Sequence, residues 1–568
     1  MTGHDIPIRK STSSKPLRRI SILSRHSTES HGFDEEHHER KARRLSHTMT
    51  IIPRPPPPEV PQVLQTVHRR SPFGALLNRT LPAYSGPYQV GVCDVEVPIP
   101  RQCFGHFEHK SMPDRDAGLT IDTVLFTLFY PAECTDTNQR VVWFPSLSTR
   151  LRQTIDGFLK MANRTPNWMY RTVVYPAAAA AIYGTTFPAV ENAPLKEAPA
   201  YTKWPLMLFS HGVGCSRLMY SAFCGEMASR GYVVAAIEHR DGTGPSSRIT
   251  NAEGDMKILD WLDWKDLHWP GQEQPQDDTT LRHVQLQVRL AEVEAVLNAL
   301  KGITSGQPVS QTQLTEAQTT FDWARWTDVN VRYPIMTGHS FGGSLGIAAA
   351  SDRRFRFSRV MVFDPAVQRL HPWTGNIDVP FLCVNSEEFA VGREFDLFHD
   401  MLPNIQSPTT FFIPGATHPS FSDVFLILPD YINSLTGLRL DADRVISILV
   451  HLVDHFLDGK IQEIAHHPDF HVKTVTGSRF QNLRRFETVQ LGTLHQLYQG
   501  EGKENSRIMA PRMQRSTSLR SSGSGHGDDD DEKRRNHSMP HLSVKKKKGN
   551  SKKHTELGEI GGIVLYAV

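Results

Sequence analysis

Apolar residues in the middle of this chain fall into short runs separated by amphipathic stretches. Runs near 122–130, 206–210, 232–238, 334–337, 359–363, 380–384 and 409–413 are rich in Val, Ile, Leu and Phe, the composition of buried strands. Between them the period changes. Over 279–300, Leu281, Val284, Val288, Ala291 and Ala295 recur at steps of three or four and predict a helix with one apolar face. A second helix near 440–457 closes the pattern. Strands alternating with helices predict an α/β fold with a mostly parallel central sheet and helices on both faces. No apolar run reaches the 18 or so residues needed to cross a bilayer, and 177–182 falls well short.

The ends of the 568-residue chain read differently. Residues 1–84 are rich in Ser, Arg and His and contain Pro55-Pro56-Pro57-Pro58. Residues 501–568 carry four aspartates at 528–531 and four lysines at 545–548. Such compositions bury too little apolar surface to offset ordering entropy, so both ends are expected to be disordered tails around one catalytic domain over 85–500. A net charge of +3 excludes a general nucleic-acid binder. The basic character is local. Six cysteines without a Cys-x-x-Cys pair suggest neither a zinc site nor a disulfide framework, so no cofactor or metal is expected.

Within the domain, Gly338-His339-Ser340-Phe341-Gly342 stands between an apolar run and the small residues of 343–350. Two glycines let a strand turn sharply into a helix and leave the serine hydroxyl at the apex, a nucleophile elbow. A serine hydroxyl is a weak nucleophile and needs a histidine base held by a carboxylate, in the chain order Ser, Asp, His. The run 359–363 delivers Asp364, followed at once by Pro365. Asp378 competes, but it precedes the next strand and would lie at the amino edge of a parallel sheet. His418 follows the run 409–413 and a Pro-Gly turn, and is the candidate base among 27 histidines. His211 and His239 lie upstream of Ser340, where a structural or oxyanion-loop role suits them better. The oxyanion donors are expected to be the Phe341 amide and the Val213 amide, the latter in the glycine loop that ends the run 204–210.

Several blocks in matching order make the chain resemble the platelet-activating factor acetylhydrolases, serine-dependent, calcium-independent phospholipases A2. They are Gly86-Pro87-Tyr88 with Gly91, Phe209-Ser210-His211-Gly212-Val213-Gly214 running into Tyr220-Ser221-Ala222, and Val234-Ala235-Ala236-Ile237-Glu238-His239-Arg240-Asp241. Gly338-His339-Ser340-Phe341-Gly342-Gly343, Asn385-Ser386-Glu387, and His418 with Phe421 and Asp423 complete the set. The resemblance implies an α/β-hydrolase fold, a triad on Ser340, Asp364 and His418, and hydrolysis of the short sn-2 acyl ester of a phospholipid without a metal. Pro334 departs from the family pattern, since proline inside a central strand removes a ladder hydrogen bond. Secreted members begin with a signal peptide, whereas this chain starts Met1-Thr2-Gly3-His4-Asp5, so a cytoplasmic member is expected. Another ester as substrate, or a non-enzymatic, phosphorylation-controlled adaptor, stands as the alternative.

Two further features concern access and control. Leu151, Ile155, Phe158, Leu159 and Ala162 line one side of a helix with Arg150, Arg152, Lys160 and Arg164 around it, and Trp168, Met169 and Tyr170 follow. This pattern over 150–170 suits peripheral contact with a membrane surface, and equally a core-facing helix. Trp261, Trp264 and Trp269 offer a second apolar lip. In the tails, Ser21, Ser46 and Ser538 follow arginines as basophilic kinase sites do, and Arg535-Asn536-His537-Ser538-Met539-Pro540 resembles a motif bound by phosphoserine readers. Lys545 to Lys548, with Lys552 and Lys553, suit an anionic lipid or an import receptor.

Overall fold

The sheet at the centre of the molecule is built from strands whose two faces are both apolar. In β3 (Trp204–Ser210), Leu206 and Leu208 point into one core cluster while Met207 and Phe209 point into the other. The next strand, β4 (Val233–Glu238), divides the same way, with Val233, Ala235 and Ile237 opposite Val234 and Ala236. Strands buried on both sides read as continuous apolar runs because helices cover both faces. The computed structural model describes residues 70–110, 118–134, 139–144, 149–162, 168–250, 256–306, 321–466, 471–476 and 562–567. The serines Ser21, Ser46 and Ser538, the lysines of 545–553, and the side chains of Trp168, Met169 and Tyr170 lie outside the described residues.

The chain enters the sheet through β1 (Val90–Phe104) and β2 (Leu119–Pro131), and continues after β4 into β5 (Val329–His339), β6 (Arg359–Phe363), β7 (Phe381–Ser386) and β8 (Pro408–Ile413). Their spatial order is β1-β2-β4-β3-β5-β6-β7-β8. Strand β2 runs antiparallel to both neighbours, and from β4 to β8 every pairing is parallel. This is the mostly parallel α/β-hydrolase architecture expected from the sequence. Beyond β8 lie β9 (His471–Thr476) and β10 (Gly562–Ala567), with β10 antiparallel to β8. Gly562–Ala567 falls inside the stretch expected as a charged tail. Its apolar Ile563-Val564-Leu565-Tyr566 run supplies the β propensity that the lysine-rich residues before it lack.

Pro334 sits inside β5, at a break in the ladder. Pairing with β3 shifts between Asn330 and Ile335, pairing with β6 begins only at Ile335, and the Pro334 carbonyl instead accepts from the Ser358 amide at 2.9 Å. Proline is tolerated there because no ladder bond is asked of its nitrogen.

Helix α1 (Thr149–Met161) and helix α2 (Trp168–Ile182) form a pair outside the sheet. Leu151, Ile155 and Leu159 are buried against Tyr175, Ala178, Ala179 and Ile182. Of the two readings open for this stripe the structure shows the core-facing one, because two short helices side by side each bury the apolar face that the other presents. What α2 and the turn after it leave exposed is a second row: Val173, Pro176, Ala177 and Ala180 on the helix, and Tyr183 just past its end. Of the three tryptophans offered as a lip, Trp269 is buried in a small cluster with Phe107 and Leu281.

Helix α3 (Ser221–Ser229) packs on one face of the sheet with α6 (Ala442–Leu457). On the other face lie α4 (Thr279–Thr304) and α5 (Phe341–Ser351). Of the residues whose spacing predicts the apolar side of α4, Leu281, Val284, Val288 and Ala291 are buried and Ala295 is partly buried, while Val293 joins them in the core. Gln285, Arg289 and Glu292 are buried with it. Those three polar side chains stand beneath the carboxyl ends of β3 and β4, where the site is built. Among the described residues no helix is long and apolar enough to cross a membrane.

Candidate active site

Ser340 stands between β5 and α5 with φ 57° and ψ −122°, a backbone conformation that costs a non-glycine residue roughly 1–3 kcal/mol. The surroundings force it. A methyl on Gly338 would stand 2.3 Å from the Gly342 carbonyl oxygen, and one on Gly342 would stand 2.1 Å from that of Ser210, so both positions exclude any side chain. The Ser340 amide donates to the Phe363 carbonyl at 2.9 Å, which ties the apex to the end of β6.

One residue further, Asp364 also has positive φ, 42°. Its carboxylate is buried and receives the Ser386 amide and the Ser386 hydroxyl, each at 2.6 Å. His418 arrives from the other side, after β8, on a turn held by the Gly415 amide donating to Glu387 at 2.7 Å and by an Arg439–Glu387 ion pair. The His418 amide donates to Glu388 at 3.0 Å. These contacts bring His418 Nδ1 to 3.1 Å from Asp364 Oδ2 and His418 Nε2 to 3.0 Å from Ser340 Oγ. An ionised carboxylate only accepts, so the imidazole proton belongs on Nδ1 and the Nε2 lone pair faces the serine. Burial opposes charge on this ring, but the hydrogen bond and charge of Asp364, with Glu388 and Glu394, outweigh it and raise the His418 pKa above its ordinary value.

The structure thus brings Ser340, Asp364 and His418 together, and leaves Asp378 exposed before β7. Val213 and Phe341 flank the serine. A methyl on Gly212 would lie 2.9 Å from Ser340 Cβ, and among the described residues neither the Val213 nor the Phe341 amide donates to a protein acceptor. Amides without a protein acceptor near a serine hydroxyl are the kind of group that can stabilise an oxygen gaining negative charge.

Behind this loop lies a polar network that sequence reasoning placed only loosely. His211 donates from Nδ1 to the Gly212 carbonyl at 2.8 Å and accepts the His239 amide on Nε2 at 3.1 Å; burial, then the Arg289 charge, push its pKa down to about 4. His239 joins Ser210 Oγ at 2.7 Å through Nε2 and Glu292 at 2.6 Å through Nδ1. This second Ser-His-Glu chain is wholly buried and holds structure together. His339 is likewise held by burial, then by the neighbouring His418, well below its usual pKa, and its Nδ1 meets the Tyr220 hydroxyl at 2.7 Å.

Residues without an assigned role in the sequence reading also support the site. Asp423 accepts from the Ser221 amide and hydroxyl, each at 2.7 Å, from the Ala222 amide at 3.1 Å and from Trp143 Nε1 at 2.8 Å. It therefore binds the His418 turn to the start of α3, where the helix presents unpaired amides. Burial raises its carboxyl pKa to about 6, against the pull of those donors. The signal for it was its place in the block with His418 and Phe421, which gave it no role.

A family model described as platelet-activating factor acetylhydrolase, isoform II, matches residues 74–471. The platelet-activating factor acetylhydrolase of Gallus gallus is 27% identical to this chain over 399 residues, 68% of this chain and 84% of that protein. That of Bos taurus is 29% identical over 332 residues, covering 56% and 68%. A protein named putative phospholipase A2 from Schizosaccharomyces pombe is 31% identical over 180 residues, 31% of this chain and 36% of its own. A solved ferulic acid esterase from Streptomyces cinnamoneus overlaps 67% of this chain and 92% of its own, at a TM-score of 0.43 and 18% identity.

Proposed function

The chain belongs to the platelet-activating factor acetylhydrolase, isoform II, family, which makes it a phospholipid ester hydrolase, and from that premise we propose that it removes a short sn-2 acyl group, acetyl or oxidatively truncated, from phospholipids such as platelet-activating factor. Ser340 Oγ attacks the sn-2 carbonyl carbon while His418 Nε2 takes the hydroxyl proton and Asp364 stabilises the imidazolium. The carbonyl electron pair moves onto oxygen, where the Val213 and Phe341 amides receive it. Collapse breaks the ester C–O bond. The departing lysophospholipid oxygen takes the proton from His418, and water then releases the acyl group from Ser340 by the same steps.

The observation that carries this reading is the continuous chain of hydrogen bonds from Ser340 through His418 to Asp364, at 3.0 and 3.1 Å, on a serine held at φ 57°. The test is hydrolysis of an sn-2 acetyl phospholipid beside its sn-2 palmitoyl analogue, with excess chelator, and a fluorophosphonate to mark the reactive serine. Acetyl-selective turnover with the label on Ser340, both abolished in Ser340→Ala, is the expected result. Labelling without turnover of either lipid would move the substrate to another ester, and neither labelling nor turnover would favour a non-enzymatic adaptor.

Access to lipid belongs to the same reading. Met161, at the end of α1, crowds Gly214 of the oxyanion loop so closely that a methyl there would stand 2.5 Å from its sulfur. The α1–α2 pair therefore borders the site, and the exposed row along α2 and the turn after it, which includes Val173 and Tyr183, would rest on a membrane surface. Cosedimentation of a Val173→Asp variant with phosphatidylcholine vesicles checks this; binding equal to that of the unmodified chain would rule the contact out.

A further inference from the structure

We propose that Arg289 of α4 is a positioning residue that fixes both oxyanion donors at once, an inference that rests on the Ser340 esterase reading above. Its guanidinium is wholly buried and reaches four partners. Nη1 donates to the His211 carbonyl at 2.7 Å, Nη2 to Thr243 Oγ1 at 2.7 Å, Nε to Asp241 at 2.7 Å, and Nη1 also lies 3.4 Å from Ser210 Oγ. Its Cζ lies over the Phe341 ring, 4.5 Å from the centroid.

Val213 is flanked by two anchored points, the His211 carbonyl held by Arg289 and the Gly214 amide, which donates to the Thr243 carbonyl at 2.8 Å. Thr243 is in turn fixed by Arg289 Nη2 and by Asp241, which accepts the Thr243 amide at 3.0 Å and hydroxyl at 2.6 Å. Both ends of the Val213 amide segment thus trace back to one guanidinium, and the same group covers the Phe341 ring. A flat, five-donor fork can satisfy these directions together, whereas an ammonium is a point charge that serves one or two. An oxyanion hole works only if its donors are fixed before charge develops, so an error of about 1 Å in their position costs on the order of 10²-fold in rate.

The experiment compares the unmodified full-length chain with Arg289→Lys, which keeps a cation beside Asp241, using the sn-2 acetyl phospholipid and a trifluoromethyl ketone whose adduct with the serine carries an oxyanion. Active sites are counted by fluorophosphonate labelling, so misfolded material is excluded. The expected result is a kcat about 10²-fold lower at a KM within about threefold, a parallel loss of trifluoromethyl ketone affinity, and an unmoved acid limb of the pH–rate profile, since His418 is untouched. Thr243→Val, which leaves the Arg289–Asp241 pair intact, should show the same pattern at about tenfold and answers the question if the lysine variant does not fold. A lowered melting temperature with kcat and ketone affinity unchanged per labelled site would reduce Arg289 to a structural residue. A fall in kcat without loss of ketone affinity would equally overturn the proposal. Failure of the underlying reading looks different: the unmodified chain itself would neither turn over nor label at Ser340.

Discussion

Ser386 meets Asp364 twice, through its amide and through its hydroxyl, each at 2.6 Å, and the same hydroxyl accepts the Phe389 amide at 3.2 Å at the start of the helix Glu387–Val391. One side chain thus satisfies the buried carboxylate and caps a helix. Ser386→Ala removes a hydrogen bond to a charged, buried acceptor and a cap, and is expected to cost about 2–3 kcal/mol in urea unfolding together with roughly tenfold in kcat. Full activity in a variant of unchanged stability would show that Asp364 does not depend on this contact.

Ser340 at φ 57° and ψ −122° stores backbone strain that glycine would not feel. Ser340→Gly is expected to be about 1 kcal/mol more stable than Ser340→Ala, with both inactive. The two differ in a Cβ, so their denaturant midpoints report the strain less the greater unfolded-chain entropy of glycine. Equal midpoints would mean that the turn relaxes when the hydroxyl is gone.

Much of this geometry was legible in the chain, for reasons that differ from residue to residue. Ser340, Asp364 and His418 each follow an apolar run at a strand's carboxyl end, so position along the sequence sufficed to pick them out. The Arg289 and Glu292 contacts were not legible that way, although the clue existed. Leu281, Val284, Val288 and Ala291 define the buried face of α4, and Gln285, Arg289 and Glu292 stand one step around the helix from them, on the same side. A charged residue is read as solvent-facing by default, and only its partner on another element, Asp241 or His239, reveals otherwise. The stripe on α1 suited two readings, and only the partner helix decides between them. Amphipathicity marks a face that must be covered without saying by what, and here α2 covers it.

The raised pKa of His418 sets the pH dependence of the reaction. The ring must be neutral to take the Ser340 proton, so kcat/KM is expected to fall as pH drops through a value above the ordinary 6.5 of histidine. Stability moves the other way. A folded-state pKa above the unfolded one means that this group contributes fully below the unfolded pKa and that its contribution is lost as pH rises through the folded pKa. An acid limb centred at or below about 6 would show that Asp364, Glu388 and Glu394 do not prevail over burial at this site.

Glu292 makes a second pH-dependent contribution with a different window. Burial, then the charge of Asp241, raise its carboxyl pKa to about 8, while burial, then Arg289, hold His239 well below its usual value, and both shifts favour a neutral pair with the proton on the carboxyl. Unfolded, the same carboxyl titrates near 4.3. Unfolded His239 keeps its proton up to about 6.5, so only from there to about 8 does the folded pair hold a proton that the unfolded pair has released, and the pair's contribution to stability falls as pH rises through that window. Glu292→Gln is matched to the protonated form, since its carbonyl can accept the Arg240 amide, which meets Glu292 at 2.8 Å, and its NH2 can donate to His239 Nδ1. Melting curves from pH 5 to 9 should therefore show the glutamine variant losing less stability than the unmodified chain as pH rises. If the pair were instead an imidazolium with a carboxylate, glutamine would leave a buried charge unpaired and the variant would be several kcal/mol less stable at every pH.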